Sequence, residues 1–427
     1  MALYGSQLLS LFLLEDGFTN MNHGSFGTVP RLIVEKQFEF VKEAESKPDF
    51  WFRTRYFEYL DISRAAVSEL VNSKVEDVIL LENASSAING ILRCSLLKKG
   101  DKVLRLSTAY NMCIQVLNWL EATLGIEQVV VQVRFPYRAD HAELLSDVSK
   151  AFAEHGSSIK MALFSHISSM PTLIEPVKEL NKLCKEASAG ECIVIVDGAH
   201  APGAIDIDVQ DIGCDYYTGN LHKWTFCPKG CAFLYTHKAE TGAQKEVCGV
   251  QPLVISSSGK HSYIDRFAYT GTRDYTAFAC VPSAFAFVET HLGGFAQMSA
   301  RNRALILRGC DAVARAWGTY TLVSPCPAAP VPVGVMMDVV APHEAQSEEA
   351  MLRIQTSLDK FHNTFFVYGK VPVRQTGTGT GACTGTVTGT GTDVVTWFVR
   401  LSAQVYLDEE QYAIFAQRFL DVLTSFR

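Results

Sequence analysis

Short apolar segments alternate with amphipathic segments along residues 70–240, and this alternation limits what the chain can fold into. Short apolar runs are typical of buried strands, whereas apolar residues spaced three and four apart predict helices. The predicted strands are Val78–Leu81, Lys102–Leu106, Gln128–Val133, Lys160–Phe164, Cys192–Val196 and Gly230–Tyr235. The predicted helices start near Ser85 and cover 111–124, 143–154 and 176–188. Strands that alternate with helices favour right-handed crossovers, so we predict an α/β fold with a mainly parallel sheet.

The pattern changes after about residue 285, where a smaller α+β domain is predicted. Its predicted elements are a helix over 294–317, a strand within Val331–Val340, a helix near 347–361, strands near 365–373 and 394–401, and a helix over 408–426. A chain of 427 residues exceeds one typical core. We therefore predict an N-terminal segment over 1–30 that packs on the small domain or on a partner, a large domain over 31–285 and a small domain over 286–427.

A tract of almost pure Thr and Gly covers 376–392 within the small domain. Glycine loses much backbone entropy in a fixed loop, so the tract is predicted to be mobile. The alternative is a β-ribbon, which the threonines would permit.

The composition argues against nucleic acid or a membrane as a partner. Lys and Arg number 38 against 45 Asp and Glu, which gives a net charge of −7. The apolar run Leu8–Leu14 is too short to span a membrane, and no Lys or Arg precedes it as in a secretory signal. We predict that this run forms a short helix that packs on the body or on a partner, and that the protein is cytoplasmic.

Twelve cysteines are scattered along the chain. Cys227 and Cys231 are separated by three residues, and no second pair of ligands follows them. A zinc site at this pair is one interpretation. Reduced cytosolic thiols are the favoured one, so no metal is predicted.

Lys223 and Asp197 are the residues that point to a chemistry. Asp197 ends the apolar run Ile193–Val196, and Lys223 follows it within Asp215–Trp224. A lysine can hold the aldehyde of pyridoxal phosphate (PLP) as a Schiff base, and an acid can pair with the pyridinium nitrogen. The alternatives are a solvated surface lysine and an Asp that caps a helix.

A phosphate site is predicted where the strand Val78–Leu81 meets the next helix. Small residues within 82–89 leave backbone N–H groups free at a helix N-terminus, and Ser85 and Ser86 lie there. The alternative is a plain N-cap. The residues that could add donors to the same phosphate are Asn220 and His222, and Thr270–Asp274 is a second exposed turn that could do so.

Three further side chains fit a PLP site. Tyr110 follows a predicted strand and could stack on the pyridine ring, the alternative being a half-buried core tyrosine. His200 lies three residues beyond Asp197 and could bond the ring oxygen. Arg400 is a cation in an apolar strand, where a guanidinium fork fits the carboxylate of an amino acid; a structural ion pair is the alternative.

The chain resembles the fold-type-I PLP enzymes of the aminotransferase class V, or cysteine desulfurase-like, family. Within that family it is most similar to isopenicillin N epimerase-like proteins and related C–S lyases. The likeness runs from about residue 18 to residue 426. The motifs that carry it are Asn22–Gly27, Val196–Gly203, Gly219–Trp224, Gly271–Asp274 and Arg400–Tyr406.

The resemblance implies a role for each candidate residue. Lys223 would form the internal aldimine, Asp197 would pair with the ring nitrogen and His200 would bond the ring oxygen. Tyr110 would take the stacking position. The implied phosphate ligands are Ser85, Ser86, Asn220 and His222.

The resemblance also implies a homodimer with shared sites. Thr272 would reach the phosphate in the partner subunit. Arg400 would bind the substrate carboxylate, and Asn22 and His23 would approach the substrate.

The implied activity is chemistry at the α-carbon of an amino acid or short peptide, with Lys223 as the general base. Return of the proton on the other face gives epimerisation, which the likeness favours; loss of a β-substituent gives a C–S lyase, the first alternative. An inactive PLP-fold interaction protein is the second alternative. Desulfurases carry a nucleophilic Cys after an Arg-containing strand, but here Arg374 precedes the Thr/Gly tract with Cys383 inside it. Because this spacing is too long, a persulfide mechanism is not carried over.

Overall fold

The computed structural model describes residues 4–237, 250–256, 262–323, 330–374 and 393–425. Its strands are β1 Thr19–Asn20, β2 Val78–Leu81, β3 Lys102–Leu106, β4 Glu127–Val131, β5 Ile159–Ser165, β6 Ile193–Asp197, β7 Tyr216–Asn220, β8 Ala232–Thr236, β9 Met336–Val340, β10 Thr364–Phe365, β11 Val367–Arg374 and β12 Asp393–Ser402. Its α-helices are α1 His23–Phe26, α2 Arg31–Ser46, α3 Pro48–Phe50, α4 Tyr56–Leu70, α5 Ala84–Arg93, α6 Asn111–Leu124, α7 Ala142–His155, α8 Val177–Ala187, α9 Val209–Ile212, α10 Leu221–Trp224, α11 Tyr263–Ala268, α12 Thr276–Ala279, α13 Val281–Leu292, α14 Phe295–Trp317, α15 Glu348–His362 and α16 Glu409–Thr424.

A large sheet has the strand order β2-β8-β7-β6-β5-β3-β4. Its strands β3 to β7 are parallel to one another, and β8 pairs in the antiparallel sense with β2 and β7. Helices connect the successive parallel strands, and β5 and β6 are buried over nearly their whole length. The predicted α/β class with a mainly parallel sheet is confirmed.

Strand β7 was missed by the sequence analysis, although it leads directly into Lys223. Its sequence is Tyr-Tyr-Thr-Gly-Asn, without the aliphatic run that marks β6. It is a strand because it lies between β6 and β8 and completes their hydrogen bonding. Gly219 fits there because a Cβ would lie 2.6 Å from Pro202 and 2.7 Å from Phe233. Local propensity is weak in this strand, and tertiary pairing decides its conformation.

A smaller antiparallel sheet has the order β11-β12-β9. The N-terminal segment lies against the same part of the chain, because β1 pairs with β10 and the N–H of Gly5 donates to the carbonyl of Val405. The apolar run near the start forms a 3-10 helix at Ser6–Leu11. The division of the chain into domains at 30/31 and 285/286 stays a prediction, and the Thr/Gly tract with Cys383 lies outside the described residues. Within the described ranges, no helix is both long and apolar enough to cross a membrane.

Candidate active site

Asp197 and Lys223 lie at the same edge of the large sheet. Asp197 is the last residue of β6, and Lys223 lies in α10, which begins where the neighbouring strand β7 ends. Both side chains are buried. The carboxyl ends of adjacent parallel strands meet at one edge of a sheet, which is why residues so far apart in the sequence share a site.

The Lys223 amine is bonded to a neutral imidazole. Its Nζ lies 3.0 Å from Nε2 of His200. Burial lowers the pKa of Lys223 to about 7, and the positive charge of Arg400 adds to this effect. Burial also moves the pKa of His200 well below its ordinary value. At neutral pH much of Lys223 is therefore a neutral amine, the form that reacts with an aldehyde.

The residues around Lys223 fit PLP. Because Nε2 of His200 accepts from the amine, Nδ1 carries the imidazole proton, and this nitrogen is buried with no protein partner among the described residues. A ring oxygen of the cofactor would accept from it. Asp197 Oδ1 accepts the N–H of Ala199 at 3.0 Å, and Oδ2 accepts the thiol of Cys113 at 3.7 Å. Burial raises the pKa of Asp197, and a protonated ring nitrogen would compensate the buried charge.

The N-terminus of α5 lies beside the same edge, and its first turn is partly occupied. The side chain of Asn83 accepts the N–H of Ser86, and Asn220 Oδ1 accepts the N–H of Ala84, each at 2.9 Å. The hydroxyl of Ser86 donates to Glu82. Among the described residues, the N–H of Ser85 has no partner in this turn. Of the predicted phosphate ligands on α5, Ser85 therefore offers a free N–H, whereas the hydroxyl of Ser86 would have to leave Glu82.

His222 is held by the backbone. Its Nδ1 lies 2.9 Å from the carbonyl oxygen of Cys231, so this nitrogen donates. Burial lowers the pKa of His222 to about 4, which keeps the imidazole neutral. In that state Nε2 is an acceptor, so it could donate to a phosphate only after it took up a proton. The predicted role of His222 stays a prediction.

Tyr110 and Thr272 are exposed. Tyr110 precedes α6, and its hydroxyl is close enough to Arg400 to affect the pKa of that residue. Thr272 Oγ1 lies 2.7 Å from the hydroxyl of Tyr269. Stacking by Tyr110 and a contact of Thr272 with the partner subunit stay predictions.

Arg400 lies on β12 and is 2% exposed. Its Nη1 donates to the carbonyl and hydroxyl oxygens of Ser169 at 3.0 Å each, and its Nη2 donates to Asn22 at 2.6 Å and to Ser25 at 2.9 Å. All these partners are uncharged, and Nε is buried without a partner among the described residues. Burial lowers the pKa of Arg400 to about 10. A buried guanidinium with neutral ligands fits an incoming carboxylate.

His23 is fully buried and has both ring nitrogens on protein atoms. Nδ1 lies 3.0 Å from the hydroxyl of Tyr406, and Nε2 lies 2.8 Å from the carbonyl oxygen of Lys223. Its ring packs on Trp224. A contact between His23 and the substrate would break one of these bonds, whereas Asn22 reaches Arg400 directly.

Sequence reasoning missed three residues that the structure brings to the site. Ser25 lies inside the motif Asn22–Gly27, so the predicted substrate contacts Asn22 and His23 could have indicated it. Ser169 follows β5 by a few residues, and the rule that ligands bind beyond strand ends would have indicated its loop. Cys113 carries no sequence signal, because an isolated cysteine in an apolar helix is usually a core residue. In the described parts of the chain, no group of three or more His, Cys, Asp or Glu could hold a metal ion.

Comparisons with known proteins identify the family of this chain. A family model for aminotransferase class V matches residues 46–349. An L-cysteine desulfhydrase of Arabidopsis thaliana is 32% identical over 423 residues, which is 96% of this chain and 88% of that protein. The isopenicillin N epimerase of Streptomyces clavuligerus is 29% identical over 310 residues, 69% of this chain and 74% of that protein.

A solved structure of the cystine C–S lyase C-DES with its reaction product cysteine persulfide has the same fold. It matches with a TM-score of 0.70 at 16% identity and covers 95% of this chain and 98% of that one. The resemblance stated from the motifs is confirmed, since the family model spans more than half of the chain. The chain belongs to the class V aminotransferase family and is a PLP-dependent enzyme.

Proposed function

We propose that the protein is a cysteine C–S lyase that converts L-cysteine and water to pyruvate, ammonium and sulfide. Two features support the substrate class. Arg400 is a buried guanidinium with neutral ligands whose Nε has no partner in the described part of the chain, and Lys223 is a buried amine at the edge of the large sheet. An α-amino acid has a carboxylate that Arg400 can bind and an α-proton that Lys223 can remove. The likeness to the desulfhydrase over nearly the whole chain favours the thiol as leaving group.

The observation that carries the proposal is the environment of Arg400. Ser169 accepts from Nη1, and Asn22 and Ser25 accept from Nη2, while Nε has no partner among the described residues. A carboxylate that binds Nε and one Nη would therefore replace a neutral ligand and not a charged one. This contact would fix the substrate α-carbon relative to Lys223. Fixed geometry of this kind accounts for a large share of enzymatic rate enhancement.

Proton transfer falls to Lys223. When bound, PLP supplies the electron sink that delocalises the charge left at the α-carbon. The neutral Nζ takes the α-proton, the Cβ–S bond breaks, and the sulfur leaves with a proton that Lys223 can return. Hydrolysis of the remaining enamine gives pyruvate and ammonium. His200 accepts a hydrogen bond from Nζ and so keeps the amine oriented.

Epimerisation, the first choice from the sequence, becomes the second candidate. The epimerase likeness covers less of the chain than the desulfhydrase likeness. The homodimer and the cytoplasmic location stay predictions.

The test is product analysis with purified holoenzyme and L-cysteine. We expect sulfide, pyruvate and ammonium in equal amounts, and no product from the Lys223→Ala variant. Lys229→Ala is the matched control, because Lys229 lies nearby, is exposed, and bonds Gly27 instead of His200. Inverted amino acid or peptide without sulfide would overturn the lyase in favour of the epimerase.

A further inference from the structure

Asp338 is a buried carboxylate that the proposed reaction does not use. On the small sheet it lies directly opposite Arg400, in the antiparallel register of β9 and β12. It is 1% exposed. The hydrogen bonds of Arg400 nevertheless go to the uncharged residues Ser169, Asn22 and Ser25. Asp338 is therefore a charged neighbour of the carboxylate site without being its direct ligand.

Asp338 is bound to Thr172, mainly through the backbone. The backbone N–H of Thr172 donates to Oδ2 at 2.5 Å, whereas the hydroxyl of Thr172 lies 3.5 Å from Oδ1 and 3.3 Å from the carbonyl oxygen of Ser169. Thr172 belongs to the loop 167–174, whose end residues form an antiparallel bridge. The same loop presents the two oxygens of Ser169 to Arg400. Asp338 thus anchors the loop that holds the guanidinium.

Asp338 and a bound substrate carboxylate would both interact with the guanidinium of Arg400. The negative charge of Asp338 favours the protonated form of Arg400, and Arg400 favours the ionised form of Asp338. A carboxylate bound at Arg400 would be repelled by an ionised Asp338, because like charges interact strongly in a buried site.

We propose that Asp338 is a positioning residue that sets the affinity of the site for the substrate carboxylate. It fixes the loop 167–174 against Arg400, and its negative charge opposes the carboxylate that Arg400 binds. This inference rests on the proposed role of Arg400, but it does not depend on which amino acid is the substrate.

The experiment measures binding of propionate to the holoenzyme from its thermal stabilisation, with the neutral analogue propionamide beside it. Asp338→Asn keeps both contacts with Thr172, because the amide oxygen accepts the N–H and the amide nitrogen can donate to the hydroxyl. At about pH 8.5, where Asp338 is ionised, we expect this variant to bind propionate about fivefold more tightly than the wild type, since it lacks the repelling charge. Asp338→Ala also loses the anchor, and we expect it to bind no more tightly than the wild type. Binding of propionamide should be the same in the wild type and in Asp338→Asn.

The wild-type protein gives a second measurement. Burial raises the pKa of Asp338 to about 7. Among the described residues, the titratable groups that face Asp338 are Arg400 on β12 and Cys310 on α14, and burial moves the thiol pKa of Cys310 well above its ordinary value. Both keep one protonation state between about pH 5.5 and about pH 8.5. Protonation of Asp338 removes the repulsion, so wild-type affinity for propionate should rise as the pH falls through about 7, whereas Asp338→Asn should show no such rise.

Equal or weaker propionate binding in Asp338→Asn at about pH 8.5 overturns the proposal, and so does a pH dependence that persists in this variant. Asp311→Asn is the control, because Asp311 is an exposed residue of α14 whose charge should not matter. If Arg400→Lys binds propionate as the wild type does, the carboxylate site is wrong and the proposed function falls with it. Absence of sulfide release, with the propionate results as expected, would overturn the lyase and leave this inference standing.

Discussion

Asp197 and Asp338 are both buried carboxylates with a buried basic side chain nearby, and they lie on different sheets. Asp197 belongs to what we call the cofactor half of the site, which consists of Asp197, His200 and Lys223. Asp338 adjoins the substrate half, which consists of Arg400, Asn22, Ser25 and Ser169. Burial raises the pKa of each acid, and the nearby basic side chain opposes the rise in each case.

The two halves differ in how the chain builds them. The cofactor half comes from two short segments at the ends of adjacent parallel strands, so the backbone of one sheet fixes it. The substrate half gathers an N-terminal segment, a loop after β5 and a strand of the small sheet. In the cofactor half, activity should therefore depend mainly on the charge and protonation of each side chain. In the substrate half, it should depend mainly on where the side chains lie.

Asp197→Asn should give the largest loss. The amide cannot hold the ring nitrogen protonated, so kcat should fall on the order of 100-fold while KM changes little. Steady-state sulfide release measures both constants. Asp211→Asn is the control, because Asp211 is exposed and pairs with Lys178 on the surface. Near-normal kcat in Asp197→Asn would mean that this residue only caps the turn at Ala199.

Arg400→Lys should act on the substrate half alone. An ammonium cannot reproduce the planar fork that reaches Ser169 and Asn22 together, so KM for L-cysteine should rise about 30-fold with a smaller change in kcat. Arg374→Lys is the matched control on the adjacent strand β11, since Arg374 is partly exposed. A drop in kcat with unchanged KM would contradict the assignment of the carboxylate to Arg400.

The pH dependence of cofactor loading tests the lowered pKa of Lys223. Only the neutral amine attacks an aldehyde, and the pKa of Lys223 is about 7 in the cofactor-free protein because burial disfavours the ammonium. The rate at which apoprotein regains its visible absorbance with PLP should rise several-fold up to about pH 7 and then level off. A rate that continues to climb towards about pH 10 would show an ordinary, solvated lysine.

Cys383→Ser should have the smallest effect. No charged residue lies between Arg374 and Asp393, so the sequence offers the Cys383 thiol no nearby cation that would lower its pKa. We expect sulfide release to stay within about twofold of the wild type, also when 376–392 is shortened to a brief turn. Loss of activity in Cys383→Ser with cofactor still bound would restore the persulfide mechanism.

The sequence sufficed to place Asp197 and His200 near one sheet edge, because both follow a strand that its own apolar run reveals. Their roles toward the cofactor stay predictions. Strand β7 has no such run, and its polar sequence becomes a strand only between its neighbours. The neighbours of Arg400 in the substrate half could be identified only from the structure. Arg400 was recognisable as a cation in an apolar strand, but Ser169 and Asp338 meet it only after the loop after β5 packs against the small sheet.

His23 shows the same limit. Its place in the motif Asn22–Gly27 suggested a contact with the substrate, and the structure bonds both ring nitrogens to Tyr406 and to the backbone of Lys223, so that contact stays a prediction. A motif locates a residue near a site, but the direction of its side chain depends on packing across distant segments.

The attachment site of the cofactor tests the account most directly. Borohydride reduction of the holoenzyme, followed by peptide mapping with mass spectrometry, identifies the lysine that carries PLP. We expect the adduct on Lys223, the buried amine that contacts His200, and none on exposed Lys229. An adduct on Lys229, or on another lysine with Lys223 unmodified, would contradict the cofactor half as described.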